Sequence, residues 1–258
     1  MSKTDQRRQK ILEVVQRERA KGLVDLAGLL GVSYMTIRRD MKEMEAEGKL
    51  SVINGVAVAA SEPLLPNDRP YTLAAAGAQM VDEKNRIGQK AVSFIENNDV
   101  IIIDTGSTTE FVAKHLPADM NITIICYTIN ILIEVYKRPN CQIVFPGGFF
   151  HDNTLMFESP EGLALIKRNR ANKAFISATG VSESYGVMCD NHYEVPMKRT
   201  IIESSLKRYL LFDSTKYDRV RIAHYAELGE FNGIITDNGV PKTLNKTAKK
   251  LGIDLHLV

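Results

Sequence analysis

The sequence predicts an α/β protein in two parts: a small helical unit at the N-terminus, then a larger, mostly parallel sheet covered by helices. Three observations carry that prediction. The first 58 residues hold three segments whose apolar residues recur at helical spacing. Residues 60–72 contain Pro63, Pro66 and Pro70 and show no periodicity, which reads as a linker. From residue 82 onward, apolar runs of strand length alternate with helical segments, the pattern of a parallel sheet. The expected division is therefore 1–58, a linker at 59–73, and 74–258.

Composition is compatible with this division and excludes several alternatives. The chain has 258 residues, 44% of them apolar and 25% charged, which are ordinary globular averages that call for a packed core and argue against wholesale disorder. The longest apolar runs, such as 100–103 and 122–126, fall far short of the roughly 20 residues of a membrane helix. The N-terminus is charged at Lys3, Asp5, Arg7 and Arg8 and leads into an amphipathic segment, unlike a signal peptide. Cys126, Cys141 and Cys189 are an odd number with no close pair, which fits a reducing compartment. A soluble, cytoplasmic protein is expected. Cys189, His192 and Glu194 lie close enough together to suggest metal ligands, but no second cluster completes a set, so no metal or cofactor is expected.

The N-terminal helices can be taken in order. Residues 5–18 place Ile11, Leu12, Val14 and Val15 on one side, and 24–30 form a short second helix stopped by Gly31. Ser33 is a good N-cap with Val32 before it as a staple, and Ile37, Met41 and Met44 repeat at i, i+4 and i+7 until Gly48. The turn Gly31-Val32-Ser33 is so short that the two helices must cross steeply around Leu26, Leu30, Val32 and Ile37, which is helix-turn-helix geometry. Ser33, Tyr34, Met35, Thr36, Arg38, Arg39 and Lys42 then lie on the outward side, where such motifs enter a major groove. Residues 49–52 and 56–59 are expected to pair around Asn54-Gly55 as a wing, with Lys49 beside the DNA backbone. Residues 1–58 carry 11 Lys/Arg against 8 Asp/Glu, whereas the remainder carries 22 against 23, so the basic surplus belongs to this unit. Double-stranded DNA is its expected partner, and paired half-sites imply a homo-oligomer, dimer or higher.

In the second part, strands are expected at 100–104, 122–127, 141–145, 173–178, 208–212, 233–236 and 254–257. Helices are expected at 82–96, 109–115, 130–136, 162–169, 194–205 and 243–251. Ligands of open parallel sheets bind at the carboxyl ends of the strands. The first strand runs into Asp104-Thr105-Gly106-Ser107-Thr108-Thr109 and a helix, so that backbone amides and hydroxyls meet a helix N-terminus suited to phosphate. The loop lacks the lysine of a P-loop, and its plainer reading is a turn capped by Ser107 or Thr108. Other strand ends present Tyr127 with Asn130, Gly147-Gly148, Thr179-Gly180, and Asp213 to Lys216. Glu194 and Lys198 are four apart at a helix start, either a surface pair or ligands of sugar hydroxyls and phosphate. Asp104, Asn130 and Glu194 suit sugar hydroxyls, because their chemistry does not favour phosphate. An isomerase-like enzyme with Glu194 as base is the alternative reading, and the N-terminal 58 residues, which an isomerase does not need, speak against it.

These residues resemble the DeoR family of sugar-metabolism repressors over nearly the whole chain. The resemblance is carried by Gly31-Val32-Ser33-Tyr34-Met35-Thr36-Ile37-Arg38-Arg39-Asp40 and by Asp104 to Thr109, Gly147-Gly148, Gly180 with Gly186, Glu194 with Lys198, and Asp213 to Lys216. It implies a sensor fold similar to ribose-5-phosphate isomerase, with the Gly106–Thr109 loop on the phosphate of a sugar effector that releases the repressor from its operator. Residues 126–130, 139–141, 147–151 and 189–198 look like those of the members that govern deoxyribonucleoside catabolism, which implies deoxyribose 5-phosphate. The wing departs from the family, reading Asn54-Gly55-Val56 where His-Gly-Gly is common.

Overall fold

The computed structural model describes residues 3–18, 20–46, 49–53, 56–59 and 71–258. The expected helix stop at Gly48, the Asn54-Gly55 turn and residues 60–70 of the linker lie outside the described residues. The chain divides into two compact units between Pro70 and Tyr71. No helix among the described residues is long and apolar enough to cross a membrane.

In the N-terminal unit, α1 (Lys3–Glu18), α2 (Leu23–Leu30) and α3 (Tyr34–Ala46) close over Ile11, Val15, Leu26, Ile37, Met41 and Met44, all essentially inaccessible to solvent. The apolar stripes therefore face one another as their spacing requires. Gly31 ends α2 in the left-handed conformation (φ 63°), and the Thr36 amide donates to Ser33 Oγ at 3.2 Å, so Ser33 caps α3. Strands β2 (Leu50–Ile53) and β3 (Val56–Ala59) pair antiparallel. A third strand that the sequence reading missed, β1 (Ala20–Gly22), pairs with the other edge of β3. Its three residues, Ala-Lys-Gly, are too few to show an alternating pattern.

The second unit is built on a seven-stranded parallel sheet. Its strands are β4 (Val100–Ile103), β5 (Ile122–Cys126), β6 (Cys141–Val144), β9 (Ala171–Ser177), β12 (Ser205–Leu211), β14 (Gly233–Thr236) and β15 (Asp254–Leu257), in the order β15-β14-β12-β9-β4-β5-β6. Alternate residues serve opposite faces, as a strand's period of two demands. Ile101 and Ile103 join one core with Ile124 and Phe175, whereas Ile102 joins the other with Ile125 and Ile176. Helices α5 (Val81–Val92), α6 (Thr109–His115) and α7 (Ile129–Val135) cover the first face. Helices α8 (Pro160–Arg168), α9 (Val195–Ser204) and α10 (Thr243–Leu251) cover the second. The chain enters the sheet at β4, proceeds to β5 and β6 on one side, and then crosses to β9, β12, β14 and β15 on the other. The crevice between the carboxyl ends of β4 and β9 is therefore the topological switch point, where ligands of such sheets bind.

Three additions were not expected from the sequence. Leu73–Gly77 form a short helix, α4, capped by the Thr72 side chain, so the stretch read as linker already has structure at its C-terminal end. The hairpin β7 (Phe149–His151) and β8 (Met156–Glu158) docks on the end of β5, where the Phe157 amide donates to the Tyr127 carbonyl at 2.8 Å. Strands β10 (Gly180–Ser182), β11 (Gly186–Cys189) and β13 (Ala223–Ala226) form a small antiparallel sheet beyond the end of β9.

Candidate functional site

On α3, Ile37, Asp40, Met41 and Met44 face inward, while Tyr34, Met35, Arg38, Arg39 and Lys42 are exposed and Thr36 is half-buried. The outward side read from the sequence is thus the outward side of the helix. Ser33 and Thr36 are partly engaged with each other, their hydroxyl oxygens 2.9 Å apart. Asp40 had given no signal beyond its place in the motif. It is fully buried and accepts from Arg7 Nε at 2.5 Å and Arg8 Nε at 3.3 Å, which fixes α3 against α1. The two arginines keep their charge more firmly than usual, because the carboxylates of Asp40 and Glu43 bind them.

In the larger unit the strand ends meet at the switch point. Asp104, fully buried, is met on one carboxylate oxygen by the Tyr127 hydroxyl. On the other it is met by the Ser177 amide at 2.9 Å and Lys198 Nζ at 2.5 Å. Lys198 also donates to the Ser177 carbonyl at 3.1 Å, stands over the Tyr225 ring, and has Glu194 Oε2 at 3.8 Å. Glu194 and Lys198 are 3% and 1% exposed, so they are not the surface pair that was one of their two readings. Burial works against the Lys198 charge, but Asp104 and then Glu194 outweigh it and hold the ammonium above the usual lysine range. Burial pushes the Glu194 carboxyl up, against the opposing pull of Lys198 and of Asn191 Nδ2 at 2.8 Å. Asp104 and Lys198, both expected to meet the ligand, are joined to each other as a buried ion pair.

Above this network lies the loop after β4. Gly106 sits at φ 154°, and a Cβ there would be 2.7 Å from the Ser177 side chain, so only glycine lets the loop lie against β9. Thr109 Oγ1 donates to the Asp104 carbonyl at 2.7 Å and shapes the loop. The first residue of the turn into α6 is Thr108, with no side-chain cap, and Ser107 does not cap it either, which disposes of the capped-turn reading. Among the described residues no acceptor meets the amides of Gly106, Ser107 and Thr108, and the Ser107 and Thr108 hydroxyls are likewise unpartnered.

The same rim carries further unsatisfied groups. Thr128 Oγ1, Asn130 Oδ1, Thr179 Oγ1, Asp213 Oδ2 and Thr236 Oγ1 are buried without a hydrogen-bond partner, and they follow or end β5, β9, β12 and β14. Such groups cost about 1–3 kcal/mol each when left unmet. Lys216 Nζ lies 3.9 Å from Asp213 Oδ2, and burial lowers its pKa. Lys84, not singled out from the sequence because it stands in a charged run at a helix start, is fully buried 3.8 Å from the same oxygen. Burial brings it down to about 8 against the pull of Asp213. Gly148 has a structural reason of its own, since a Cβ there would strike the Glu158 carbonyl of β8. Gly147 faces open space, and Gly180 opens β10. No group of three or more His, Cys, Asp or Glu residues suited to a metal occurs among the described residues, and the buried Cys189 thiol donates to the carbonyls of Asn191 and Ala223.

Residues 79–238 match the family described as the DeoR C terminal sensor domain, and residues 7–62 match the DeoR-like helix-turn-helix domain. The chain belongs to the DeoR family. It is 29% identical to the deoxyribose operon repressor of Escherichia coli (strain K12) over 236 residues, 92% of this chain and 91% of that protein. It is also 29% identical to the uncharacterized HTH-type transcriptional regulator YulB of Bacillus subtilis (strain 168) over 235 residues, 91% of this chain and 89% of YulB. Among solved structures, ribose 5-phosphate isomerase A from Methanocaldococcus jannaschii is a distant and partial likeness. It has a TM-score of 0.39 and 14% identity, over 53% of this chain and 54% of that one. This DeoR-family protein is accordingly a DNA-binding transcriptional regulator with a C-terminal sensor domain.

For a DeoR-family regulator, the exposed side of α3 gives a direct expectation. Replacing either Arg38 or Arg39 by alanine is expected to weaken operator binding by about 1–3 kcal/mol if the arginine reads a base, and to relax specificity there. If it holds a phosphate, binding weakens on all sequences and the salt dependence flattens. Fluorescence anisotropy at matched salt separates the two results, and parental binding by both variants would rule out this side of α3 as the reading surface.

Proposed function

We propose that this chain is a repressor that leaves its operator when a phosphorylated sugar, deoxyribose 5-phosphate as first candidate, occupies the strand-end rim of the sensor unit. The observation that carries the reading is the set of unpartnered polar groups at the carboxyl ends of β4, β5 and β9, the Gly106 to Thr108 amides with Thr128, Asn130 and Thr179, which a ligand rich in hydroxyls and phosphate oxygens can satisfy. In this reading the amides of Gly106 to Thr108 and the hydroxyls of Ser107 and Thr108 take the phosphate, Thr109 shapes their loop, and Lys216 adds charge from across the rim. Asn130, Thr179 and Glu194 meet sugar hydroxyls. Asp104, Tyr127 and Lys198 hold the floor, and Gly147, Gly148 and Gly180 let the backbone turn close by. The relative named as a deoxyribose operon repressor supports the choice of sugar.

The reading includes no catalytic step. Beside Glu194, the base that an isomerase would need, Lys198 is committed to Asp104, and residues 7–62 match a helix-turn-helix domain that an isomerase does not need. The regulator works in the cytosol, as a homodimer or higher assembly on paired half-sites. Release requires only that the sugar phosphate bind the DNA-free form better than the DNA-bound form. The test uses full-length protein and a duplex selected by it from a random-sequence library, titrated with deoxyribose 5-phosphate, ribose 5-phosphate and unphosphorylated deoxyribose. Release is expected first with deoxyribose 5-phosphate and not with the free sugar. Equal release by deoxyribose would remove the phosphate from the reading.

A further inference from the structure

The first residues after the junction between the two units, Tyr71 to Gln79, are held at two points, and both holds run to the strand-end rim. At the near end, the Leu73 amide donates to the Asn153 carbonyl at 2.7 Å, and Asn153 Nδ2 reaches the Tyr71 carbonyl at 3.4 Å. Asn153 lies in the turn between β7 and β8. Its side chain accepts from the Tyr193 hydroxyl at 2.6 Å and donates to Asn191 Oδ1 at 3.3 Å, and Asn191 in turn holds Glu194. The adjoining Thr154 carbonyl receives the Thr105 hydroxyl at 3.1 Å, so the same turn touches the loop after β4. At the far end, Lys84 Nζ donates to the carbonyls of Ala76 at 2.5 Å and Gln79 at 2.7 Å while facing Asp213 Oδ2, which has no hydrogen bond of its own.

We infer that Tyr71–Gln79 forms a wall of the effector site and is the segment through which occupancy of that site reaches the DNA-binding unit. The inference rests on the effector reading above and goes beyond it by assigning the route. The Tyr71 phenol stands in the field of Glu194, Asp190 and Asp104, where burial and those carboxylates keep it a neutral donor. A sugar that bonds Glu194 changes what Asn191, Asn153 and Tyr71 have to satisfy. An anion on the rim near Lys216 and Asp213 changes the field around the Lys84 ammonium that clamps Ala76 and Gln79. Both holds therefore differ between the empty and the filled site, and the chain leaving Tyr71 is the covalent path toward the other unit. A differential contact of this kind is what coupling between two sites requires.

The experiment compares full-length parent, Asn153→Ala and Tyr193→Phe. Both residues are only half-buried, and neither is among the groups assigned to the ligand. Binding of deoxyribose 5-phosphate is measured by isothermal titration, and the concentration that half-releases the library-selected duplex is measured by anisotropy. The expected result is a dissociation constant within about threefold of the parent, with a half-release concentration raised at least tenfold in both variants, about 1.4 kcal/mol of lost coupling. Amide exchange over residues 71–79 is expected to slow on saturation with the sugar phosphate in the parent and to change less in Asn153→Ala. Parental half-release by both variants overturns the assigned route and leaves the effector reading standing. A parent that neither binds nor responds to the sugar phosphate overturns the effector reading, and the route with it.

Discussion

Thr108→Asp is expected to hold operator DNA with parental affinity and to go on holding it at sugar-phosphate concentrations that strip the parent. Thr108 is 5% exposed, its hydroxyl has no partner, and it begins the turn into α6, where aspartate is a good cap and negative charge is favoured. The substitution therefore leaves the fold intact and places a carboxylate where the reading puts the phosphate. Two unit charges about 4 Å apart repel by roughly 4 kcal/mol at an effective dielectric near 20. Release is expected to need on the order of 1,000-fold more sugar phosphate, or to vanish. Thr108→Val keeps the shape, removes one hydroxyl and should lose about tenfold. Anisotropy titrations of the three proteins measure this directly. Normal release of Thr108→Asp would show that the phosphate lies elsewhere.

Lys198→Met should lower the stability of the sensor unit by about 3–5 kcal/mol, the usual consequence of stripping one partner from a buried ion pair. The loss comes from what remains. Asp104 is left fully buried with the Tyr127 hydroxyl and Ser177 as donors, and the buried Glu194 loses the same cation. Neutralising the stranded carboxylate in the double variant Asp104→Asn/Lys198→Met should return part of the loss, a coupling that a double-mutant cycle reads out. The pH dependence follows from linkage. In the single variant the Glu194 carboxyl, already pushed up by burial, loses the cation that opposes that rise, so its protonation stabilises the fold at low pH and that contribution disappears as pH rises through the raised value. Urea unfolding between pH 5 and 8 should thus find the gap to the parent narrowest at the acid end. A uniform loss of under about 1 kcal/mol would place Lys198 outside the floor of the site.

The sequence was most legible where one physical signal had no competitor. Ser33 followed by Ile37, Met41 and Met44 placed α3 and its outward arginines, and the strands expected at 100–104 and 122–127 are found at Val100–Ile103 and Ile122–Cys126. Hydrophobic periodicity did not reach the polar interior. Lys84 and Asp40 stand in charged runs that look like solvated helix faces, yet both are fully buried, because one lies over the end of the sheet and the other against α1. In the hairpin over β5 and the β10-β11-β13 sheet, which were missed, β7, β8 and β10 are three residues long, too short to show an alternating pattern. The strand ends were placed, but which of their side chains bond one another was not legible, since spacing alone cannot say that Lys198 is already taken by Asp104.

The switch-point topology also bears on how such a chain diversifies. Residues 101–103, 124–126 and 174–176 pack between the layers, whereas 104–109, 127–130, 177–180 and 213–216 gather on one rim, with Tyr127 and Ala178 serving both the rim and a core. Exchange of rim residues outside the Asp104, Tyr127 and Lys198 network would leave the two cores as they are, whereas exchange of one of those three would carry a folding cost with it.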